Sequence, residues 1–484
     1  MQILFVTSEA FPLIKTGGLA DVSSALPAAL RVLGMDVRLL LPAYPAAVAA
    51  AGIQGAAISL GEAFEGRPVS ILKGQLPGSA VPVLLVDSPG LYDRPGTPYQ
   101  DESGADWPDN ELRFGLLSWA AARLSQPNSP LGWQPDVLHL NDWQSGLAPA
   151  YLFCWGEERP RTIFTIHNIA YQGNFPAQSL SRLALEPRCF ALDGVEFHGQ
   201  ISFLKAGLYY ADRITTVSPT YANEIQHSPL GCGFEGLLMK RRADLSGILN
   251  GADYTIWDPR RDSHLVKQRA PEDFVAKAED KRTVQHAMGL AEKSSAPLFV
   301  VVSRLVEQKG MDLVLAAIPT LLRLDGQLAV LGSGDKGLEL SFANASASNP
   351  SSVTVHMGYS EPLAHRLISG GDFLLMPSRS EPCGLTQIYA LRYGTIPIVH
   401  RVGGLADTVV DASFDAMLEH EATGFVFDEP AGPGLDWCIE RAVTAYHREQ
   451  ERRCLQLAGV RQDFSWVSAA RRYLDLYREI RPNE

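Results

Sequence analysis

Short, wholly apolar runs recur along the chain with room for a helix between them. The first run, Ile3–Val6, is followed by a loop and a segment with helical periodicity at Leu26, Leu30 and Leu33. A second apolar run follows at Val37–Leu41. Strands that are buried on both faces of a sheet have this continuous apolar character. Because strand, helix and strand alternate, the pattern predicts an α/β fold built on doubly wound parallel sheets.

The pattern stops near the middle of the chain and then starts again. A charged stretch without strand signals, Trp257 to Lys293, separates two series of apolar runs. We therefore predict two Rossmann-like domains, an N-terminal one over 1–248 and a C-terminal one over 249–464. The remaining predicted strands are Val81–Val86, Val137–Leu140, Thr162–Ile166, Ile214–Val217 and Gly247–Asn250 in the first domain, and Leu298–Val302, Gln327–Leu331, Val353–His356, Phe373–Met376 and Ile396–Val399 in the second.

The end of the chain has the periodicity of an amphipathic helix. Its large apolar residues follow one another at intervals of four and three positions, which places them on one helical face. These residues are Trp466, Ala470, Tyr473, Tyr477 and Ile480. We predict that a C-terminal helix over 465–484 packs back on the N-terminal domain.

The composition restricts the classes of partner. Of the 484 residues, 42 are Lys or Arg and 54 are Asp or Glu, so the formal net charge is −12, and no basic cluster offsets it. We therefore expect neither nucleic acid nor an anionic membrane as the main partner. Six scattered cysteines without a CxxC pair predict reduced thiols and no zinc site. The strand-like N-terminus without signal-peptide features favours a cytoplasmic protein.

Two loops that follow predicted strands carry cations suited to a phosphate. Lys15 precedes the pair Gly17-Gly18 at a helix start, where glycines let an anion approach the backbone. A purely structural turn is the alternative there. Arg304 and Lys309 follow the strand Leu298–Val302, at the edge where open α/β sheets bind ligands, and they suit a diphosphate. A solvated charged loop is the alternative at this second position.

Other strand ends carry groups suited to a sugar. His167 closes the strand Thr162–Ile166, although a histidine at such a place is often structural. Asp142 and Trp143 combine a carboxylate for hydroxyl groups with an aromatic ring for the apolar face of a sugar. Glu381 stands just before a predicted helix whose first backbone N–H groups are available to an anion.

One short segment occurs twice. The sequence GGLAD at Gly17–Asp21 recurs at Gly403–Asp407, each time just before a predicted helix. The repeat indicates either paired glycine loops that face one cleft or the same helix-start chemistry used independently.

Five segments match one known pattern, in order, from residue 1 to about residue 480. They are Lys15–Asp21, His167–Gly173, Gly199–Gly207, Ser303–Leu305 with Gln308–Gly310, and Glu381–Gln387. Together they resemble the bacterial glycogen synthases, and they also resemble the plant starch synthases.

The resemblance implies a GT-B fold, in which two Rossmann-like domains flank a deep interdomain cleft that holds the active site. It implies a retaining glycosyltransferase that moves glucose from ADP-glucose to the non-reducing end of an α-1,4-glucan, either glycogen or a maltooligosaccharide. It implies no cofactor and no metal. The chain also contains no DxD motif of the kind that holds a divalent ion.

The resemblance also assigns roles to individual residues. It implies that the nucleotide and its phosphates contact Lys15, Gly18, Arg304, Lys309, Tyr359, Leu385 and Thr386. The residues implied to face the donor glucose are His167, Asn250, Glu381, Cys383 and Gly384. Those on the acceptor side are Asp142 and Trp143. The residues implied to take part in catalysis are Glu381, His167, Arg304 and Lys309.

The chain departs from the family pattern at two positions. Asn141 and Gln144 stand where many bacterial members have histidine, which puts the acceptor contacts of this segment in question. Tyr389 stands eight positions after Glu381, where a broader group of related transferases has a second glutamate, and a tyrosine there agrees with the glycogen synthase pattern. Glu381 is therefore expected to work without a carboxylate partner at that position.

Three alternative functions remain open at this point. A related retaining transferase would use UDP-glucose or another acceptor. A non-catalytic glucan-binding protein of the same fold would have lost residues such as Lys15 or Glu381, which are present here. A nicotinamide dehydrogenase would need G-x-G-x-x-G after its first strand, and that motif is missing from this position.

Overall fold

The computed structural model describes residues 1–156 and 158–480. The last four positions of the predicted C-terminal helix, 481–484, lie outside the described residues. The chain forms two compact units. Unit 1 contains Met1–Gly251 and the segment from Trp466 onward, and unit 2 contains Ala252–Ser465. The C-terminal helix is Trp466–Glu479 and belongs to unit 1, where the five residues of its predicted apolar face are all buried.

Unit 1 is built on one large sheet whose order reverses at the first strand of the chain. Gln2–Val6 lies between Asp36–Pro42 and Val137–Asn141 and is parallel to both. From one edge to the other the strands are Leu245–Gly247, Arg213–Thr216, Arg161–Ile166, Val137–Asn141, Gln2–Val6, Asp36–Pro42, Pro82–Asp87, Arg67–Gln75 and Ile58–Ala63. All neighbours up to Pro82–Asp87 are parallel, and the last two strands are antiparallel.

The sequence prediction missed this last hairpin and misplaced one strand. Ile58–Ala63 and Arg67–Gln75 have mixed burial patterns with many exposed positions, so they lack the continuous apolar run that identifies the parallel strands. The predicted strand Gly247–Asn250 is wrong, since the strand is Leu245–Gly247. Asn250 instead follows the strand, beyond the carboxyl edge of the sheet.

The helices of unit 1 cover its sheet, and a small antiparallel sheet lies beside it. The helices are Gly18–Val32, Pro45–Ala50, Asn110–Leu124, Ala148–Trp155, Ser179–Arg182, Phe203–Tyr210, Pro219–Glu224, Glu235–Lys240 and Trp466–Glu479, with short 3-10 turns at Trp143–Ser145 and Pro187–Cys189. The small sheet contains Asn174–Pro176, Gln200–Ser202 and Glu196–Phe197.

Unit 2 is built on a parallel sheet with the strand order typical of dinucleotide-binding folds. The strands in spatial order are Val353–Met357, Gln327–Gly332, Leu298–Val302, Phe373–Met376, Ile396–His400 and Phe425–Phe427. Numbered along the chain within unit 2, this order is 3-2-1-4-5-6. In such a sheet a crevice opens at the carboxyl ends of the first and fourth strands, where the direction of winding changes. Here these ends belong to Leu298–Val302 and Phe373–Met376.

Both faces of this sheet are covered by helices. Along Leu298–Val302 the side chains alternate between two apolar clusters, with Phe299 and Val301 in one and Leu298 and Val300 in the other. The covering helices are Phe274–Ala287, Met311–Arg323, Lys336–Ser348, Glu361–Gly370, Thr386–Arg392, Gly403–Thr408, Phe414–Leu418, Gly432–His447 and Glu449–Arg461, with a 3-10 turn at Glu307–Lys309.

Candidate active site

A buried carboxylate holds the glycine loop of unit 1. Glu9, only 3% exposed, follows the first strand. Its carboxylate accepts hydrogen bonds from the Thr16 backbone N–H at 2.5 Å, the Thr16 hydroxyl at 2.6 Å and the Gly17 N–H at 3.2 Å. The Tyr99 hydroxyl donates to it at 2.6 Å. Glu9 was not predicted from the sequence, where it is an acidic residue three positions after the strand Gln2–Val6 and nothing shows that Thr16 contacts it.

The loop that Glu9 fixes leaves room above its glycines. A Cβ added at Gly17 or Gly18 would meet no atom within 4 Å, and neither residue has a positive φ. The packing of the described residues therefore does not require glycine there, whereas a ligand that approaches the backbone would. Lys15 pairs with Asp21 at 2.7 Å, and both side chains remain partly exposed.

Asn141 and Asp142 both contact His167. The Asp142 carboxylate accepts the His167 backbone N–H at 2.7 Å. The His167 Nε2 lies 2.9 Å from Asn141 Oδ1, while Asn141 Nδ2 donates to the Val6 carbonyl at 3.0 Å. Because the amide nitrogen is already committed to a carbonyl, its oxygen must accept, so Nε2 of His167 carries the proton. The Nδ1 atom then remains as a hydrogen-bond acceptor.

Burial sets the protonation states of this group. It lowers the pKa of His167 to about 4, which keeps the imidazole neutral near pH 7. Burial also raises the pKa of Asp142 to about 7, against two backbone hydrogen bonds that lower it. Asp142 has φ 55° and ψ −179°, a strained backbone conformation for a residue with a side chain. Strain of this kind and a shifted pKa together are typical of functional sites.

Trp143 is held in an aromatic cluster. Its ring lies edge-on to Phe114 with centroids 4.9 Å apart, and it contacts Phe175 and Phe203 at 5.8 and 6.2 Å. Gly173 packs so closely against the ring that an added Cβ would overlap it. The ring is thus fixed and partly exposed, and its role toward an acceptor stays a prediction.

Asn250 lies at the end of unit 1 and is almost completely buried. Its Oδ1 atom has no hydrogen-bond partner among the described residues. A buried amide oxygen without a partner is costly, so it fits a group that accepts from a ligand hydroxyl.

In unit 2 two of the predicted catalytic residues, Lys309 and Glu381, form a cluster with Ser378. Lys309 Nζ lies 2.5 Å from Glu381 Oε2, and the Ser378 hydroxyl donates to the same oxygen at 3.3 Å. Arg304 is exposed, and its guanidinium forms no ion pair with the part of the chain that is described. The cluster lies at the carboxyl ends of Leu298–Val302 and Phe373–Met376, where the strand order predicts a ligand crevice.

Glycines and an ion pair fix the two loops of this cluster against each other. Gly310 has φ 69°, and a Cβ there would overlap the Pro377 carbonyl oxygen. Arg379 donates to both carboxylate oxygens of Asp312 at 2.7 Å, and its backbone N–H donates to the Gln308 carbonyl at 2.8 Å. These contacts fix the loops that carry Lys309 and Glu381 relative to each other.

The second copy of the GGLAD segment has a structural role. The Gly404 N–H donates to the Glu381 carbonyl at 3.1 Å. A Cβ at Gly403 would overlap the Glu381 carbonyl oxygen, and one at Gly404 would overlap the Cys383 carbonyl oxygen. These glycines are therefore needed to seat the Glu381 loop, in contrast to the open pair at Gly17-Gly18. The two copies have different surroundings and different roles.

The other predicted residues of unit 2 surround the same sheet edge. Tyr359 follows the strand Val353–Met357 and is 76% exposed. Cys383 is buried, and Gly384 has φ 70°. Leu385 and Thr386 start the helix Thr386–Arg392, where the first N–H groups have no partner within the helix. Gln387, for which the sequence predicted no role, donates to the Cys383 and Gly384 carbonyls at 3.0 and 3.1 Å.

Tyr389 belongs to an aromatic stack. Its ring lies parallel to that of Trp257 at 4.1 Å, and Trp257 stacks on His365 at 3.6 Å. The His365 Nδ1 is 2.7 Å from Asp262, which also accepts from Tyr393 at 2.6 Å. The side chain that replaces the second glutamate therefore supports the helix after Glu381.

In residues 1–156 and 158–480, no group of three or more His, Cys, Asp or Glu side chains could hold a metal ion. No helix in the same ranges is long and apolar enough to span a membrane.

Comparison with known proteins supplies the family. Residues 2–240 match the model for the starch synthase catalytic domain, and residues 286–453 match that for glycosyl transferases group 1. A glycogen synthase of Paramagnetospirillum magneticum is 55% identical, over 100% of this chain and 98% of the relative. The chain belongs to the glycogen synthase family. Glycogen synthase 1 of Methylococcus capsulatus is 49% identical, over 99% of this chain and 96% of the relative.

Solved structures agree with this family. The catalytic domain of starch synthase IV from Arabidopsis thaliana, bound to ADP and acarbose, has a TM-score of 0.86 at 30% identity, with 99% of each chain covered. Sucrose-phosphate synthase from Thermosynechococcus elongatus has a TM-score of 0.58 at 18% identity, which shows the fold alone.

Membership of the glycogen synthase family confirms the predicted GT-B fold class and the predicted activity. The chain is a glycosyltransferase with glycogen synthase activity. Its substrates are a nucleotide sugar and a glucan. Two of the alternative functions, a nicotinamide dehydrogenase and a non-catalytic glucan-binding protein, are not consistent with the activity of these relatives.

Proposed function

We propose that the chain transfers glucose from ADP-glucose to the non-reducing end of an α-1,4-glucan, with retention at the anomeric carbon. The observation that carries this proposal is the Lys309–Glu381 pair, with the exposed cation Arg304 beside the same strand end. A starch synthase of similar structure was solved with ADP and the oligosaccharide analogue acarbose, which supports an adenine nucleotide as donor and a glucan as acceptor.

Cations and backbone N–H groups would bind the donor diphosphate. Arg304 and Lys309 supply positive charge, and Leu385 and Thr386 supply the start of a helix. Tyr359, which is exposed at the same sheet edge, would lie against the adenine. From unit 1, Lys15 and Gly18 complete the set, because the open space above Gly18 allows a phosphate to approach the backbone.

The difficult step is departure of ADP from the anomeric carbon. Arg304 and Lys309 would stabilise the charge that develops on the phosphate oxygen. The Lys309 ion pair with Glu381 places this ammonium and the carboxylate side by side, where Glu381 would face the donor glucose with Cys383 and Gly384.

Groups of unit 1 would orient the sugars. The neutral His167 presents Nδ1 as an acceptor for a hydroxyl of the donor glucose, and Asn250 offers its unpartnered Oδ1. Asp142 and Trp143 would contact the acceptor.

Retention follows from attack on the same face that ADP leaves. A double-displacement route needs a carboxylate nucleophile beside a second carboxyl group. Among the described residues the Glu381 carboxylate contacts Lys309 and Ser378, and position 389 is a tyrosine. We therefore propose that the leaving phosphate accepts the proton of the acceptor hydroxyl. A trapped glucosyl adduct on Glu381 or Asp142 would contradict this route.

The decisive experiment measures incorporation of glucose into glycogen from ADP-glucose and from UDP-glucose in parallel. We expect a preference for ADP-glucose and a loss of at least about a hundredfold in kcat for Glu381→Ala. Glu307→Ala is the matched control, since Glu307 is an exposed carboxylate of the neighbouring loop. Activity with UDP-glucose alone would overturn the donor assignment.

Two further expectations complete this proposal. We propose that no metal or other cofactor takes part, so dialysis against EDTA should leave the initial rate unchanged. We also propose a cytoplasmic location, without nucleic acid or membrane as partner, which the free thiols of the six cysteines and the net charge of −12 support. Cell fractionation with antibody detection tests the location.

A further inference from the structure

Unit 1 contains a cavity that the proposed reaction does not use. Its volume is about 310 Å³. It lies where the chain leaves the carboxyl ends of the strands Asp36–Pro42 and Pro82–Asp87, the edge at which open α/β sheets bind ligands. Arg113 of the helix Asn110–Leu124 and Tyr44 form part of its lining, and so does Ile14, the neighbour of Lys15.

Arg113 is a buried cation without a carboxylate partner. It is 1% exposed and forms no ion pair with any described residue. Its Nε donates to the Leu91 carbonyl at 2.9 Å. Its Nη1 donates to the Pro98 carbonyl at 2.7 Å and to Asn110 Oδ1 at 2.8 Å. A guanidinium has five N–H donors, so these three bonds leave both N–H groups of Nη2 without an acceptor among the described residues.

Tyr44 adds a second unused group. It is 4% exposed, and its hydroxyl has no hydrogen-bond partner among the described residues. Its ring lies edge-on to that of Tyr92 with centroids 6.0 Å apart. The Tyr92 hydroxyl, by contrast, donates to the Arg113 carbonyl at 2.5 Å. Tyr44 and Arg113 line the same cavity. Burial raises the pKa of Tyr44, and the positive charge of Arg113 lowers it.

The remaining charges around the cavity do not compensate Arg113. Arg94 also lines the cavity, but its guanidinium is bound to both carboxylate oxygens of Asp109 at 2.8 and 2.7 Å. Asp93 is exposed at the rim, where water solvates its charge. Glu9 acts on Tyr44 electrostatically, but its oxygens already accept from Thr16, Gly17 and Tyr99.

We propose that this cavity binds a small oxyanion of the phosphate class. Its oxygens would accept the two N–H groups of Arg113 Nη2 and the hydroxyl of Tyr44, which gives each unused donor an acceptor. Hydrogen bonds between a guanidinium and phosphate oxygens are among the strong ones in proteins, and guanidinium geometry suits them. This site is separate from the proposed reaction and does not rest on it.

The experiment titrates inorganic phosphate into the protein by isothermal calorimetry at constant ionic strength, with chloride as the reference anion. Saturating ADP, itself titrated first, occupies the nucleotide site so that phosphate cannot bind there. We expect one phosphate to bind under these conditions. Tyr44→Phe, which removes one donor and keeps the ring, should weaken binding about tenfold.

Two further variants make the result specific. Tyr151→Phe is the matched control, because its buried hydroxyl donates to the Leu183 carbonyl at 2.7 Å and lies outside the cavity, so phosphate affinity should not change. Arg113→Lys keeps the charge but loses the guanidinium geometry and should abolish binding, with circular dichroism as the check on folding. Binding that disappears with ADP, or that is equal in wild type and Tyr44→Phe, would overturn the proposal.

Discussion

Asn141 fixes the tautomer of the neutral His167, and replacing it with aspartate would change the charge of the imidazole. The Nε2 atom of His167 lies 2.9 Å from Asn141 Oδ1, so Asn141→Asp would place a carboxylate in hydrogen-bond contact with the imidazole. A negative charge at such a distance raises a histidine pKa by about 1–3 units. From a starting value of about 4, the pKa of His167 should rise to between about 5 and 7.

The consequence is a change in the pH dependence of the reaction. The proposed role of His167 requires the neutral imidazole, so activity is lost as pH falls through its pKa. In the wild type this limb lies near pH 4, whereas in Asn141→Asp it should move upward by about one to three pH units, or about 1.4–4 kcal/mol. At pH 8 the variant keeps Nε2 protonated and should retain most of its kcat.

The assay is the pH profile of kcat/KM for glucose transfer to glycogen between about pH 3 and pH 9, which includes the acidic limb of the wild type. Asn141→Leu is the companion variant, since it has a similar size but neither charge nor acceptor. It should lower kcat across the whole range without raising the acidic limb, because nothing then selects the tautomer. Coincident acidic limbs for wild type and Asn141→Asp, in folded proteins, would refute this account of His167.

Three further predictions concern the stability of the fold. Gly310→Ala should lower the free energy of unfolding by at least about 2 kcal/mol in urea titrations, because φ is 69° and the new Cβ would overlap Pro377; an unchanged midpoint would show that the loop relaxes freely. The pKa of Asp142 is raised from 3.8 to about 7, so its contribution to stability is complete below about pH 4 and is lost as pH rises through 7. The free energy of unfolding of the wild type, relative to that of Asp142→Asn, should therefore decrease between about pH 4 and pH 7 by up to about 1.4 kcal/mol per pH unit. Parallel curves of unfolding free energy against pH for the two proteins would contradict this. Tyr389→Glu should lose the stacking on Trp257 and about 1–3 kcal/mol of stability by thermal unfolding, without any gain in the initial rate.

Most strands of the parallel sheets could be predicted from the sequence because they are largely buried on both faces. Leu298–Val302, for instance, consists of apolar residues only. The exceptions are Leu245–Gly247, which is only half-buried, and Phe425–Phe427, which has only three residues. The ends of such strands also indicated where ligand groups lie, since parallel strands bring their carboxyl ends to one edge. The contact between Lys309 and Glu381 joins loops 72 positions apart. The order of the strands in the sheet brings these two loops together. The short apolar runs in the sequence do not reveal that order.

What the sequence did not reveal are groups whose role depends on a partner elsewhere in the chain. Glu9 reads as an ordinary acidic residue until Thr16 folds back onto it. The glycines at 403 and 404 gave the same signal as those at 17 and 18, although only the former pack against a neighbouring backbone. Asn141 departs from the family pattern, and only its position between Val6 and His167 explains what the amide does.

The return of the chain into unit 1 has a consequence for engineering. Ala252 and Ser465, the first and last residues of unit 2, pair with each other, and the Ala252 N–H donates to the Phe464 carbonyl at 2.6 Å. Gly251 and Trp466, their neighbours in unit 1, are likewise in contact. In topological terms unit 2 is a single insertion whose ends meet. Residues 252–465 can therefore be exchanged as one cassette, whereas truncation before Trp466 would remove Tyr477 from its hydrogen bond to the buried His139.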